Sequence, residues 1–170
     1  KYLFFALIGS IILAISSKIK IPFYPVPMTM QTLVILTIGI AFGWRLGVTT
    51  ITLYLFEGIL GLPVFSGTPE KGLGIVYFTG PTMGYLIGFI FAGYFAGKFI
   101  YDNNFIKTFL KLIFATSFIY IFGMLWLGIL IGWEKPIFKL GAQPFLLAEL
   151  LKILIATFAA NQIKRFRNIL

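Results

Sequence analysis

The chain contains neither cysteine nor histidine, and only five of its 170 residues are acidic. Without cysteine there are no disulfides and no thiolate metal sites. Without histidine the commonest general base and metal ligand is missing, which excludes Ser-His intramembrane proteolysis and HExxH metalloproteolysis. No GxxxxGK[ST] phosphate loop occurs. Gly72-Leu73-Gly74 is only a fragment of a dinucleotide fingerprint, with Tyr77 where its third glycine would stand. Charge of either sign is scarce, at 11% against about 25% for soluble domains. What fills the chain is apolar. Hydrophobic residues make up 59%, the mean hydropathy is +0.99, and the 18 Gly bring the apolar share to about 70% by the usual count. A soluble globule of this length would expose apolar patches far beyond what monomers tolerate. A soluble enzyme, a disordered tail and a nucleic-acid-binding domain are therefore excluded, and no nucleic acid is expected as a partner. The expected surroundings are the lipid bilayer.

Six apolar runs are legible, at roughly Tyr2–Ser17, Met30–Gly43, Leu46–Leu60, Thr82–Phe99, Leu112–Gly132 and Phe145–Ala160. At about 20 residues per crossing plus a connection, 170 residues accommodate six passes. The fold class expected is all-α: a polytopic membrane protein of six transmembrane helices in a single transmembrane domain, residues 1–170. The start at Lys1 rather than Met suggests a trimmed beginning. Tyr2–Ser17 has no cleavage-site pattern and reads as a retained first helix, not a signal peptide. The second and third runs are separated only by Trp44-Arg45. As one helix they would span about 45 Å, too long for a hydrocarbon core of about 30 Å. Gly43, Arg45 and Gly47 instead suggest a tight turn between two short passes. The first loop, Lys18–Met28, carries Pro22, Pro25 and Pro27 and should be rigid and non-helical. The third loop, Gly61–Gly80, is the longest.

The net charge of +9 arises from 14 basic residues. With both termini cytoplasmic, eight of these face inward (Lys1, Arg45, Lys98, Lys107, Lys111, Lys164, Arg165, Arg167). Five face outward (Lys18, Lys20, Lys71, Lys135, Lys139). This bias places the first, third and fifth loops outside, where they could form a binding mouth. Glu57, at the end of the third run, is expected at the outer interface.

The fourteenth basic residue is the exception. Lys152 and Glu149 lie three apart, on one helix face, inside the last apolar run. Charges at that depth face a bundle interior or a polar cavity. Two readings follow: a self-satisfied ion pair that fixes the helix, or a site where carboxylate and ammonium meet one small polar ligand. The helix N-terminus outward of the pair adds partial positive charge. Gly84, Gly88, Ala92 and Ala96 form a small-residue stripe on the fourth run, expected to pack closely on another helix. Thr82 and Tyr85 stand beside it with hydroxyls available for a ligand. Gln31 opens the second run as a cap or a contact. Ala6, Ser10 and Ala14, four apart on the first run, suit either internal packing or docking to another membrane subunit.

Taken together, the segments Val26-Pro27-Met28-Thr29-Met30-Gln31-Thr32, Gly61-Leu62-Pro63-Val64-Phe65, Gly80-Pro81-Thr82-Met83-Gly84-Tyr85-Leu86 and Pro144 through Lys152 resemble the BioY family. These are the biotin-specific substrate-binding S-components of energy-coupling-factor (ECF) transporters. The resemblance implies six membrane helices in the cell membrane with cytoplasmic termini. It implies high-affinity biotin capture from outside, with no catalysis and no cofactor in this chain. Partners would be a transmembrane coupling subunit, met through Ala6, Ser10 and Ala14, and two ABC-type ATPases; some members occur without them. The family's last-helix Gly-Asp-Leu-x-Lys reads here with Ala148, Glu149 and Lys152, and its Gly-Pro-Thr-Gly-Gly-Tyr has Met83 for a glycine. The ligand contacts so implied are Glu149 for the ureido ring, Lys152 or Lys71 for the carboxylate, and Tyr85, Thr82 and Gln31 along the remainder. A binding site for another vitamin, a proton-exchanging transporter using Glu149, and a structural membrane subunit are the competing readings.

Overall fold

The computed structural model describes residues 1–169. Six helical segments dominate it. Helix α1 is Tyr2–Lys18 and α2 is Gln31–Ile59, while α3 is Met83–Lys98 and α4 is Phe105–Ile131. After the short α5, Ile137–Gly141, comes α6, Leu146–Ile163. A two-residue antiparallel pair, β1 (Lys20–Ile21) with β2 (Met28–Thr29), closes the proline-bearing first loop. A 3-10 helix, Gly74–Thr79, lies in the third loop, and another, Lys164–Ile169, follows α6.

The expected turn inside the second apolar stretch is present. Gly43 (φ +80°, ψ 176°) breaks α2, and that left-handed φ is readily available only to glycine. The two arms double back on each other. Gly47 approaches Gly39 near the break, and Gln31 at one end meets Tyr54 at the other. The six apolar runs thus become α1, the two arms of α2, α3, α4 and α6. Three helical stretches, Gln31–Ile59, Phe105–Ile131 and Ile137–Arg167, are long and apolar enough to cross a membrane; α1 is a shorter apolar helix.

Some boundaries differ from expectation. Helix α4 starts at Phe105, not Leu112, because the Asn104 side chain caps it by accepting from the Lys107 backbone N–H (2.9 Å). Lys107 and Lys111 are therefore helical and not loop residues. Pro144 sits in a separate 3-10 turn, Gln143–Phe145, just before α6.

Close helix approach follows the small residues. Gly84 and Gly88 face α4, and a Cβ on Gly88 would lie 2.5 Å from Ile119 Cα and 2.8 Å from the Phe118 carbonyl. Lower down, Ala92 and Ala96 are fully buried, with Ala96 against Gly39 of α2. The stripe is thus a packing face, as small residues commonly are between membrane helices. The break at Gly43 leaves carbonyls of the first arm without helical donors. Arg167 supplies them, donating to Ile40 O (2.8 Å) and Gly39 O (3.3 Å), and also to Phe99 O (3.0 Å) beyond α3.

Ala6 and Ser10 are fully buried and Ala14 is half-buried. The Ser10 hydroxyl donates to Glu57 Oε1 (2.8 Å), so this face packs on the second arm of α2 within the chain itself. Internal packing, one of the two readings the spacing allowed, is the arrangement observed. A second subunit could not reach Ala6 or Ser10 without opening that interface. Glu57 is half-buried in the same contact. The outward face of α1 is instead Leu3, Phe4, Leu7, Ile11 and Ile15.

Replacing Gly88 by leucine forces side-chain atoms into the α4 backbone, which cannot yield cheaply. The expected cost is about 1–3 kcal/mol or more, read as a lowered midpoint in thermal unfolding of the detergent-solubilised chain.

Candidate functional site

The third loop is fastened before it can form a wall. Ser17 Oγ and Tyr54 OH both donate to Val64 O, at 2.7 and 3.1 Å. Lys18 Nζ donates to Phe65 O (2.9 Å), Thr68 O (3.2 Å) and Thr68 Oγ1 (2.9 Å). Phe65 is fully buried, stacked on Tyr77 and edge-on to Tyr54. It lies so close over Gly58 that any Cβ there would collide with its ring. Tyr77 OH then donates to Ser66 O (2.8 Å). Burial raises the Tyr77 pKa above its ordinary value, so this hydroxyl remains a donor.

Between this loop, the β1–β2 loop, the first turns of α2, α3 and α6 and the middle of α4 lies a cleft with about 530 Å³ of empty space, open solvent at its mouth included. Its apolar wall consists of Val26, Pro27, Met28, Leu86, Phe89, Ile119 and Phe145. Its polar wall consists of Thr29, Gln31, Thr32, Ser66, Tyr77, Thr82, Tyr85, Tyr120 and Glu149. A cleft in which polar groups converge beside an apolar wall suits a small molecule that is polar at some points and apolar at others.

The polar groups divide by whether protein already engages them. Gln31 Nε2 donates to Tyr54 OH (2.8 Å), and its Oε1 accepts from Thr29 Oγ1 (3.2 Å). Tyr85 OH donates to Gly141 O (2.7 Å). Both residues line the cavity, but their hydrogen-bonding atoms face protein. Glu149, in the first turn of α6, is 5% exposed. Its Oε1 receives Lys152 Nζ at 2.6 Å and Thr32 Oγ1 at 3.3 Å, whereas its Oε2 is buried without a partner. Ser66 Oγ is also buried without a partner. A buried acceptor left unpaired costs roughly 1–3 kcal/mol, so both atoms mark places where a ligand would be gained.

Two sequence-based assignments change. Lys152 is buried, but it does not line the cavity. Its ammonium is held by Glu149 and by Thr29 O at 2.6 Å, tying α6 to β2. Lys71 does not line the cavity either. It is exposed, its stem lies on Gly67, and partial burial and then the charge of Lys20 lower its pKa. Neither lysine is among the residues that line the cavity. Met83, the glycine replacement, is half-buried and also off the wall. Glu149, Tyr85, Thr82 and Gln31 are brought together as expected. The residues missed were Ser66, Tyr77 and Tyr120. Tyr120 sits in the apolar α4 run, where a tyrosine reads as an ordinary interfacial aromatic.

The chain matches the BioY family over residues 1–168. It belongs to that family. Among its relatives is a probable biotin transporter BioY of Pyrococcus horikoshii, 31% identical over 151 residues, covering 89% of this chain and 88% of that protein. Another is the probable biotin transporter BioY of Rickettsia prowazekii, 32% identical over 164 residues and covering 94% and 81%. The fold is shared with the S-component for biotin from an ECF-type ABC transporter. That crystal structure superimposes with a TM-score of 0.80 at 22% identity, over 96% of this chain and 90% of that one. The match to the family and to these relatives spans nearly the whole chain, the cavity-lining residues included.

Removing one partner of a buried ion pair strands the other charge. Lys152→Met should therefore destabilise the chain by about 3–5 kcal/mol. The double variant Glu149→Gln/Lys152→Met should recover most of that loss, measured by thermal unfolding in detergent without ligand.

Proposed function

We propose that this BioY-family chain binds biotin in the cavity between its outer loops and serves as the substrate-binding subunit of an energy-coupling-factor transporter. The observation that carries the reading is the buried, unpartnered Glu149 Oε2 on the cavity wall. A carboxylate oxygen only accepts, so it calls for N–H donors, and the ureido ring of biotin presents two. The thioether ring suits the apolar wall formed by Phe89, Ile119 and Phe145. The names of its relatives support the same ligand. The longer Glu149, where the family carries Asp, suits a pair in which one oxygen is given to Lys152 and the other to the ligand.

The chain is a transporter subunit and not an enzyme. It is a multi-pass membrane protein. Six crossings of the cell membrane, with both termini cytoplasmic, agree with the excess of basic residues on that side. Biotin enters from outside. Energy comes from ATP hydrolysed by two ABC-type ATPases through a transmembrane coupling subunit where these partners are present. With Ala6 and Ser10 buried, the coupling subunit would meet the outward face of α1 around Leu7 and Ile11.

Equilibrium binding of labelled biotin to the purified, detergent-solubilised chain tests this. The expected result is saturable binding of one biotin per chain, weakened about tenfold or more by Glu149→Gln, because a charge-assisted hydrogen bond is replaced by a neutral one. Saturable binding of a different vitamin, with none of biotin, would overturn it.

A further inference from the structure

We propose that the cavity reads the two ends of its ligand by different means: a charged acceptor at Glu149, and a neutral hydroxyl at Ser66 that takes the acid tail without requiring its charge. The inference rests on the biotin reading above. Ser66 Oγ and Glu149 Oε2 are the buried cavity-lining side-chain atoms without a partner among the described residues. Glu149 can only accept and so selects N–H donors. Ser66 both donates and accepts, so it serves a carboxylate or an amide equally.

The position of Ser66 is fixed on either side. Its own carbonyl accepts from Tyr77 OH, and the preceding Phe65 is clamped between aromatic rings. No lysine or arginine lines the cavity among the described residues. Four lysines come near its walls, and none stands free inside it; Lys20, opposite the cavity-lining Thr29 in the β1–β2 pair, is exposed to solvent, where water and salt screen it. Lys152 is neutralised by Glu149 and Thr29 O. Lys18, which reaches the Ser66 loop, donates to three oxygens of Phe65 and Thr68. Lys71 stands outside on Gly67, where water and salt screen it. A tail carboxylate inside the cavity thus finds a hydroxyl and no unengaged cation, and its charge adds little to the attraction.

Competition binding on the purified full chain separates these roles, with three ligands: biotin, its tail primary amide, and an analogue methylated on both ureido nitrogens. The amide should compete within about threefold of biotin, and the dimethyl analogue should lose about a hundredfold or more. Ser66→Ala should weaken biotin and the amide alike, by about fivefold. It should not lower the unliganded unfolding midpoint, because that hydroxyl has no partner to lose and its unpaired burial is itself a cost. An amide about a hundredfold weaker than biotin would show that a cation reads the tail and would overturn the inference while leaving the biotin reading intact. Unchanged affinity in Ser66→Ala would remove Ser66 from the site with the same result. No biotin binding by the unaltered chain would overturn the biotin reading, and the inference with it.

Discussion

A lysine ammonium buried in an apolar bundle must be neutralised where it stands, and much of the cavity end of this molecule follows from that requirement. Lys152 meets Glu149 one turn earlier on the same helix and the Thr29 carbonyl on β2. The first contact fixes the carboxylate rotamer. The second ties the proline-bearing loop to α6, so that Val26, Pro27 and Met28 become a wall. Because the ammonium takes one carboxylate oxygen, the other is left buried without a hydrogen-bond partner on a residue that lines the cavity. The pair is thus a self-satisfied structural bridge whose carboxylate also lines the cavity, so the two readings offered by the sequence do not exclude each other. Buried pairs of this kind add little net stability compared with apolar replacements, but leave a costly charge when half is removed.

A second constraint acts at the opposite end. Helix α2 is too long to cross once and is folded into two arms by one glycine with positive φ. Breaking a helix inside a bundle exposes carbonyls, and in lipid no water is available to satisfy them. Arg167, from the segment after α6, fills that need with its planar fork and lies over the Tyr101 ring. The basic C-terminal run, which in sequence reads only as an inward-facing charge marker, is in part a cap for the broken helix. Between these two ends, glycine and alanine bring α3 against α4 and α2 closely enough for dispersion to hold the bundle.

The apolar runs were legible because lipid imposes a simple rule on composition, and Gly43 was legible because two passes must be separated by something that can turn. The start of α4 was misplaced because Lys107 and Lys111 look like loop residues until the Asn104 cap is seen. Glu149 stood out because a charge in an apolar run demands a partner. Ser66 did not, since a serine in a Gly- and Pro-rich loop is ordinary; its burial arises from Phe65 being packed under three aromatic rings. Lys71 was overvalued for the converse reason: a basic residue in an outer loop carries no sign of which way it faces.

The sequence by itself determined the membrane environment, the six apolar runs, the family and the identity of the interior charges, because each depends on composition or on short-range spacing. Only the tertiary structure decided which polar atoms remain free. Gln31 and Tyr85 are contacts by sequence, yet their hydrogen-bonding groups face Tyr54 and Gly141, residues far away along the chain. Hydrogen-bond satisfaction is settled by neighbours brought together from distant segments, and so the candidate ligand-binding atoms, Glu149 Oε2 and Ser66 Oγ, emerge only once the partners of the other cavity-lining residues are known.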